Sequence, residues 1–466
     1  MNKRAYTLDL LRGLAIIGMV LSGQMLWNAE LPAWLFHAQL PPPTFAFDPS
    51  VPGITWVDLV FPFFLFSMGA AFPLALRRRM EVKGESVAAI VMTTVRRWLY
   101  LVIFAIVLEN LRVGYIEGVP QWGAALVSLA EWGCFSLLFL QFPNMDRKLR
   151  GRLRLVGFAG LAALLLLVNK LWGVETSLYK SDIIMLILAN MVLFGTIIWI
   201  ITRKSLIKRL AIFAFLVALR LGSGVEGSWC SDLWESSFAP WLFKFDYLKY
   251  LCIILPGTIA GDMIYKWLKL PEHSESTLSC KRELWMVAVG LLLIVVNMWG
   301  LFTRHLVWCV VLSIVLGIVV RILLSGGKSD DEILRKRLFE WGLFWLLLGL
   351  FVEPFEGGIK KDFATFSYFF VTSGLASVVL VVSSVLIQRG VCRFSPIIKC
   401  GENPMIAYTA ASLLIAPILV LTQLSPILDK LWTLTPWMGF LRGVVITIAV
   451  VAITAYATKR KFMWRS

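Results

Sequence analysis

The chain has 466 residues, of which 59% are hydrophobic and only 16% charged, whereas a soluble domain carries about a quarter charged residues; with a mean hydropathy of +0.78, this excludes a water-soluble globule. The net charge of +16 does not indicate a nucleic-acid partner, because the basic residues sit in short clusters between apolar runs instead of along one stripe. Seven scattered cysteines without C-x-x-C spacing and three histidines, His37, His273 and His305, argue against a disulfide framework or a metal site.

A bilayer core of about 30 Å takes around twenty apolar residues per helix. The first such run, 8–27, follows Lys3 and Arg4 but contains Asp9 and Arg12 and lacks a small-residue cleavage site, so it reads as a retained helix and not a signal peptide. Further spans are predicted at 56–76, 95–111, 121–142, 153–172, 183–202, 207–222, 247–268, 284–302, 305–324, 338–352, 367–388, 403–422 and 437–457. Those starting at 207 and 338 are short enough to tilt or re-enter. The expected fold is all-α: a polytopic transmembrane helix bundle of about 12–14 spans forming one membrane-embedded domain over 1–466.

Lys and Arg cluster at 77–97, 147–154, 203–209, 266–282, 328–337, 389–399 and 459–465, so every second loop is basic. Positive segments stay on the cytoplasmic side, which places both termini inside and three Trp- and Pro-rich segments outside: 28–55, 223–246 and 353–366. Trp229, Trp234 and Trp241 in the second of these are an interfacial aromatic anchor or a sugar-stacking platform.

Charges inside a bilayer cost a few kcal/mol each and face protein or a watery cavity, so each needs a reason. Asp9 and Arg12 are three apart on one helix, the spacing of an ion pair. Glu131 lies mid-span with no partner on its own helix. Asp58 opens the second span, where it can meet the positive end of the helix dipole. His37 precedes it on the same outer side; a lone loop histidine is most often incidental, but beside a carboxylate it can serve as a general base of fixed tautomer. Arg77, Arg78, Arg96 and Arg97 are either topogenic charge or a phosphate-binding cluster on the cytoplasmic side, for which guanidinium forks are suited. Pro256, Gly257 and Gly261 loosen a helix or admit close backbone approach. Asn403, in Gly401-Glu402-Asn403-Pro404, either starts a helix or holds a substrate group.

Together these fragments resemble the family of heparan-alpha-glucosaminide N-acetyltransferase and its bacterial relatives, within the transmembrane acyltransferase superfamily. Leu8-Asp9-Leu10-Leu11-Arg12-Gly13 resembles the family's D-x-x-R-G opening, and Asp58-Leu59-Val60-Phe61-Pro62-Phe63-Phe64-Leu65-Phe66 resembles its D-L-V-F-P-x-F-x-F helix. Leu-Pro-Gly-Thr at 255–258, the segment 367–374 and Gly401–Pro404 resemble further blocks in the same order. The resemblance implies a multi-pass protein of the bacterial cytoplasmic (inner) membrane. It also implies acetyl-CoA as cytosolic co-substrate without a metal, a sugar acceptor on the periplasmic side, and His37, in the His37-Ala38 pair, as catalytic residue with Asp58. Asn403, Ser22 and Trp56 are expected to contact substrate, and Arg77, Arg78, Arg96 and Arg97 to contact CoA. The partners are then lipid, acetyl-CoA and the sugar, in a monomer or a homodimer. Two departures are visible: Leu40–Pro52 inserts between His37 and the Gly-x-Thr block, and Ser22-Gly23 stands where relatives have an Asn. A secondary transporter of a sugar or small solute is the rival class, since it also uses interrupted helices and buried charge; a glycan O-acetyltransferase keeps the chemistry and changes the acceptor.

Overall fold

Within a bilayer, backbone N–H and C=O groups have no water to pair with and must close their hydrogen bonds inside each segment; this chain meets that demand almost wholly with helices. The structure is a computed structural model describing residues 5–28, 30–142, 145–270, 276–390 and 395–465. Lys3, Arg4, His273 and Cys392 lie outside the described residues.

The helices in order are α1 (Tyr6–Gln24), α2 (Trp56–Arg77), α3 (Val87–Asn110), α4 (Gln121–Phe139), α5 (Arg147–Trp172), α6 (Ile183–Thr202), α7 (Leu206–Gly222) and the short α8 (Trp229–Glu235). There follow α9 (Leu251–Leu268), α10 (Cys280–Phe302), α11 (Leu306–Leu324), α12 (Asp330–Val352), α13 (Phe366–Gln388), α14 (Ser395–Glu402), α15 (Pro404–Ala410), α16 (Ala416–Leu421), α17 (Ser425–Trp432) and α18 (Pro436–Lys459). A π-helical turn, Ala411–Ile415, joins α15 to α16. A two-residue ribbon pairs β1 (Leu140–Gln141) with β2 (Met463–Trp464) in antiparallel fashion.

Twelve of the described helical segments are long and apolar enough to cross a membrane, so the chain is a multi-pass helical membrane protein. The two short runs expected from sequence, α7 and α12, fall outside the twelve, yet both reach from one end of the bundle to the other. At its start α12 is tied to the 276–278 segment through Glu332, and beyond its end Glu353 pairs with Arg304 at 2.6 Å. Arg209 near the start of α7 pairs with Asp262 at 2.7 Å, and Arg220 near its end pairs with Glu356 at 3.2 Å.

Without a hydrophobic drive between helices, membrane bundles rely on close backbone approach through small residues. A Cβ on Gly257 would lie 2.4 Å from the Phe66 carbonyl oxygen, and one on Gly401 only 1.8 Å from that of Asp9. The first contact locks α9 on α2. The second seats α14 on α1, where Arg12 also donates to the Gly401 carbonyl at 3.3 Å and lies 3.7 Å from Asp9. The opening D-x-x-R-G block and Gly401–Pro404 are thus one helix crossing, on the end of the bundle that carries the basic loops.

Candidate functional site

At the opposite end, the site starts with the entry of α2. Thr55 is its N-cap, and Asp58 closes a capping box: one carboxylate oxygen, Oδ2, accepts from the Thr55 backbone N–H at 2.8 Å. The Ala38 N–H reaches the same oxygen at 3.4 Å, and the Thr55 hydroxyl donates to the Phe36 carbonyl at 2.7 Å. These bonds pin both neighbours of His37 to the helix end. With Oδ2 engaged, Oδ1 faces His37 Nδ1 at 2.5 Å, and the Asp58 side chain is 1% exposed. Tyr368 on α13 donates to the Asp58 carbonyl at 2.8 Å, fixing the helix turn from behind.

The other ring nitrogen, Nε2, meets Lys361 Nζ. That contact joins two outer segments 324 residues apart. Gln39 clamps them: its side-chain oxygen accepts from the Asp362 N–H at 2.9 Å and its amide donates to the Asp362 carbonyl at 3.3 Å. The Gly53 N–H donates to the Ile359 carbonyl at 2.7 Å, with Gly53 at φ 132°, a conformation open to glycine. Beside His37, the rings of Trp27, Phe36 and Phe45 pack with centroids 4.9–5.9 Å apart, and Trp27 remains half exposed.

This arrangement has defined chemistry. A carboxylate on Nδ1 fixes the neutral tautomer with its proton on that nitrogen, leaving a lone pair on Nε2; Lys361 occupies that lone pair in the resting geometry. Sequence reasoning found His37 and Asp58, which the fold brings together, but passed over Lys361. The signal was present: Lys360-Lys361 is a basic pair on a loop assigned to the outer side, against the positive-inside trend.

The remaining site residues separate. Ser22, in the last turn of α1, donates to the Met19 carbonyl at 2.9 Å, and Trp56 packs half-buried against Gly18 of α1. Asn403 is a correction: it lies at the basic end, away from His37, and its amide is spent on the C-terminal tail. It donates to the Phe462 carbonyl at 2.8 Å and to Thr458 Oγ1 at 3.4 Å, and accepts from the Trp464 N–H at 3.1 Å. Of the Trp-rich segment, Trp234 is buried, its indole N–H donating to Asp246 at 3.1 Å, so the three tryptophans form no common platform. Glu131 is fully buried and neither carboxylate oxygen has a hydrogen-bond partner among the described residues.

The four arginines expected to act together also divide. Arg77 bonds Asp262 at 3.1 Å and Glu81 at 3.3 Å and lies over the rings of Trp199 and Tyr265, which makes it a helix tie and not a ligand arm. Arg78 is exposed. Arg96 faces α5. Arg97 has Arg12, Arg79 and Arg465 among its charged neighbours, so four guanidinium groups drawn from α1, the α2 end, α3 and the C-terminal tail share one region of the basic end; Arg12 lies 3.7 Å from Asp9 and Arg79 pairs with Glu85 at 2.5 Å.

Fold and site together define a polytopic helical membrane protein with an Asp-His-Lys cluster at one end and convergent arginines at the other. The family described as a domain of unknown function (DUF5009) matches residues 4–264, more than half of the chain, and the chain belongs to it. The matched part carries His37, Asp58 and Arg97 but not Lys361. No curated protein matches the chain.

Proposed function

We propose that the chain is a transmembrane acetyltransferase that passes the acetyl group of cytosolic acetyl-CoA to the amine or hydroxyl of a sugar on the periplasmic side of a bacterial cytoplasmic membrane. The observation that carries this reading is the His37 ring held between Asp58 and Lys361 at the end opposite the arginine cluster. Arg97 and Arg465, with the carboxylate-tied Arg12 and Arg79 adding positive charge beside them, suit the phosphates of CoA, because guanidinium forks pair with phosphate oxygens in charge and shape. The thioester then points into the bundle, toward the outer site.

At the outer site the acceptor displaces Lys361 from Nε2. Its nitrogen or oxygen attacks the thioester carbonyl while Nε2 takes its proton, and Asp58 stabilises the imidazolium that results. A new C–N or C–O bond forms, the C–S bond breaks, and the leaving thiolate recovers the proton from His37. The products are acetylated sugar and CoA thiol. Lys361, released from Nε2, is close enough to pair with the oxyanion of the tetrahedral intermediate, a role that contributes about 10²–10³ in rate. The half-exposed Trp27 ring, packed with Phe36 and Phe45, offers an apolar face to a pyranose.

The test uses the purified full-length chain in liposomes with acetyl-labelled acetyl-CoA and a panel of amino and neutral sugars. Label in the sugar supports the proposal; movement of unmodified sugar without label transfer supports a transporter instead. Ping-pong kinetics with label retained on His37 would replace direct transfer with an acetyl-histidine intermediate.

A further inference from the structure

Beside the arginine cluster, on the next face of α3, α3 and α5 line a half-open groove of about 800 Å3 formed by Arg96, Tyr100, Arg150, Gly151, Arg154, Leu155 and Phe158. Its spacing makes it a graded groove. Arg96 and Tyr100 are one turn apart on α3, and Arg150, Arg154 and Phe158 follow one another at four-residue steps on one face of α5. The guanidinium groups sit at the basic end of the bundle; one turn deeper the Arg154 guanidinium lies 5.1 Å from the Tyr100 ring centroid, and Tyr100 packs against Phe158 at 5.8 Å.

Three positive charges in one groove repel, and none of the three forms an ion pair with a carboxylate among the described residues. The Nε atoms of Arg150 and Arg154 are buried without a hydrogen-bond partner. Arg150 and Arg154 are half-buried and Arg96 is exposed, so the groove stays open to an anion that would pair these clustered charges and meet the two buried Nε donors. The depth gradient selects its kind. Beyond the arginines, the outer face of α5 continues as an exposed apolar strip through Leu155, Val156, Leu166, Leu167 and Leu171, on a helix long and apolar enough to cross a membrane.

We infer that this groove binds the phosphodiester headgroup of an anionic membrane lipid, with the acyl chains lying along the apolar face of α5. Basic recesses between spans on the cytoplasmic side hold such headgroups, and the tilted Tyr100 and Phe158 rings fit the glycerol and first methylenes. A soluble phosphate or nucleotide would engage the arginines but leave the apolar floor unused. The inference is independent of the proposed acetyl transfer, because the groove uses Arg96 with α5, whereas Arg97 meets Arg12, Arg79 and Arg465.

The experiment places the full-length chain in phosphatidylcholine nanodiscs with a trace of phosphatidylglycerol that carries a photoactivatable diazirine on its headgroup. Crosslinks are expected in the peptides spanning 96–100 and 150–158. Unlabelled phosphatidylglycerol should compete them away, while phosphatidylcholine, inorganic phosphate and CoA should not. Crosslinking should fall about tenfold in the R150Q/R154Q variant and persist in R150K/R154K. Crosslinks spread along the whole lipid-facing belt, or equal in the glutamine variant, would overturn the inference. Loss of crosslinks to CoA or inorganic phosphate would assign the groove to a soluble anion and overturn it equally. The competition series on the unaltered chain decides the matter even where a variant fails to fold.

Discussion

His37 draws its properties from two neighbours that hold its two nitrogens apart in role. Asp58 uses Oδ2 to cap α2 and Oδ1 to face Nδ1, so one carboxylate couples helix entry to ring orientation. Asp58→Asn retains an oxygen for the cap and loses the charge against the ring. It is expected to fold and to lose about 10²–10⁴ in kcat, read as acetyl transfer alongside an unchanged elution profile. Lys361→Met should lower kcat by about 10² with Lys361→Arg recovering part of it, because the role ascribed to the ammonium is charge placed beside the oxyanion. A Met variant with full kcat would remove Lys361 from the chemistry. The His37–Asp58 pair was legible through the resemblance of His37-Ala38 and of the Asp58–Phe66 run to a known family; position alone marked Asp58 at a helix entry and left His37 a lone loop histidine. Lys361 was not, since its contact depends on the three-dimensional meeting of two outer loops. Asn403 misled for the same reason in reverse: a buried amide can hold a substrate or a backbone, and only the fold of the C-terminal tail decides which.

The helices are joined at their ends by buried polar locks. Glu332, in the first turn of α12 and ahead of its apolar stretch, accepts hydrogen bonds from the Ser276 and Thr277 hydroxyls and from the N–H groups of Leu278, Lys328 and Ser329. Burial works against its charge, but those donors prevail and bring its pKa down from 4.5 to about 2. A depressed carboxylate contributes stability that is complete above pH 4.5 and is lost as pH falls toward about 2. The contribution is on the order of 3 kcal/mol. Thermal unfolding in detergent should therefore weaken between those limits, and Glu332→Gln should flatten that part of the profile while lowering Tm at neutral pH. A second lock joins α10, α12 and α13: Glu283 accepts from Arg335 at 2.8 Å and also pairs with Arg389. At the α1–α14 crossing, Gly401→Ala drives a methyl into the Asp9 carbonyl, and overpacking of this kind costs about 1–3 kcal/mol. Its measure is a lower Tm with His37 chemistry intact. Apolar length revealed most of these helices, but α12 hides its crossing behind a charged first half, whose ends the locks place on opposite faces.

Across the whole molecule, the alternation of loops rich and poor in clustered Lys and Arg sorted the chain onto two faces, and the tie points of α7 and α12 agree with that sorting. Less of the basic face could be read. Arginine in sequence looks alike, whereas the fold divides Arg77, Arg96 and Arg97 among an ion pair with Asp262, the α3–α5 groove and the four-arginine cluster. Under the proposed function the bundle acts over its full depth, carrying a thioester from that cluster toward His37. Neutralising Arg97 with Arg465 should then raise the KM for acetyl-CoA about tenfold or more while leaving the KM for the sugar unchanged, as the loss of charge-assisted phosphate contacts implies. An equal rise in both constants would indicate a distorted fold instead.

The most direct test seals the purified chain into liposomes with acetyl-labelled acetyl-CoA on the arginine-rich side only and the amino-sugar panel on the other. Labelled acetyl sugar should accumulate on the side opposite the CoA, and His37→Ala should abolish it. Full transfer by the His37→Ala protein, or sugar crossing without label, would contradict the proposed function.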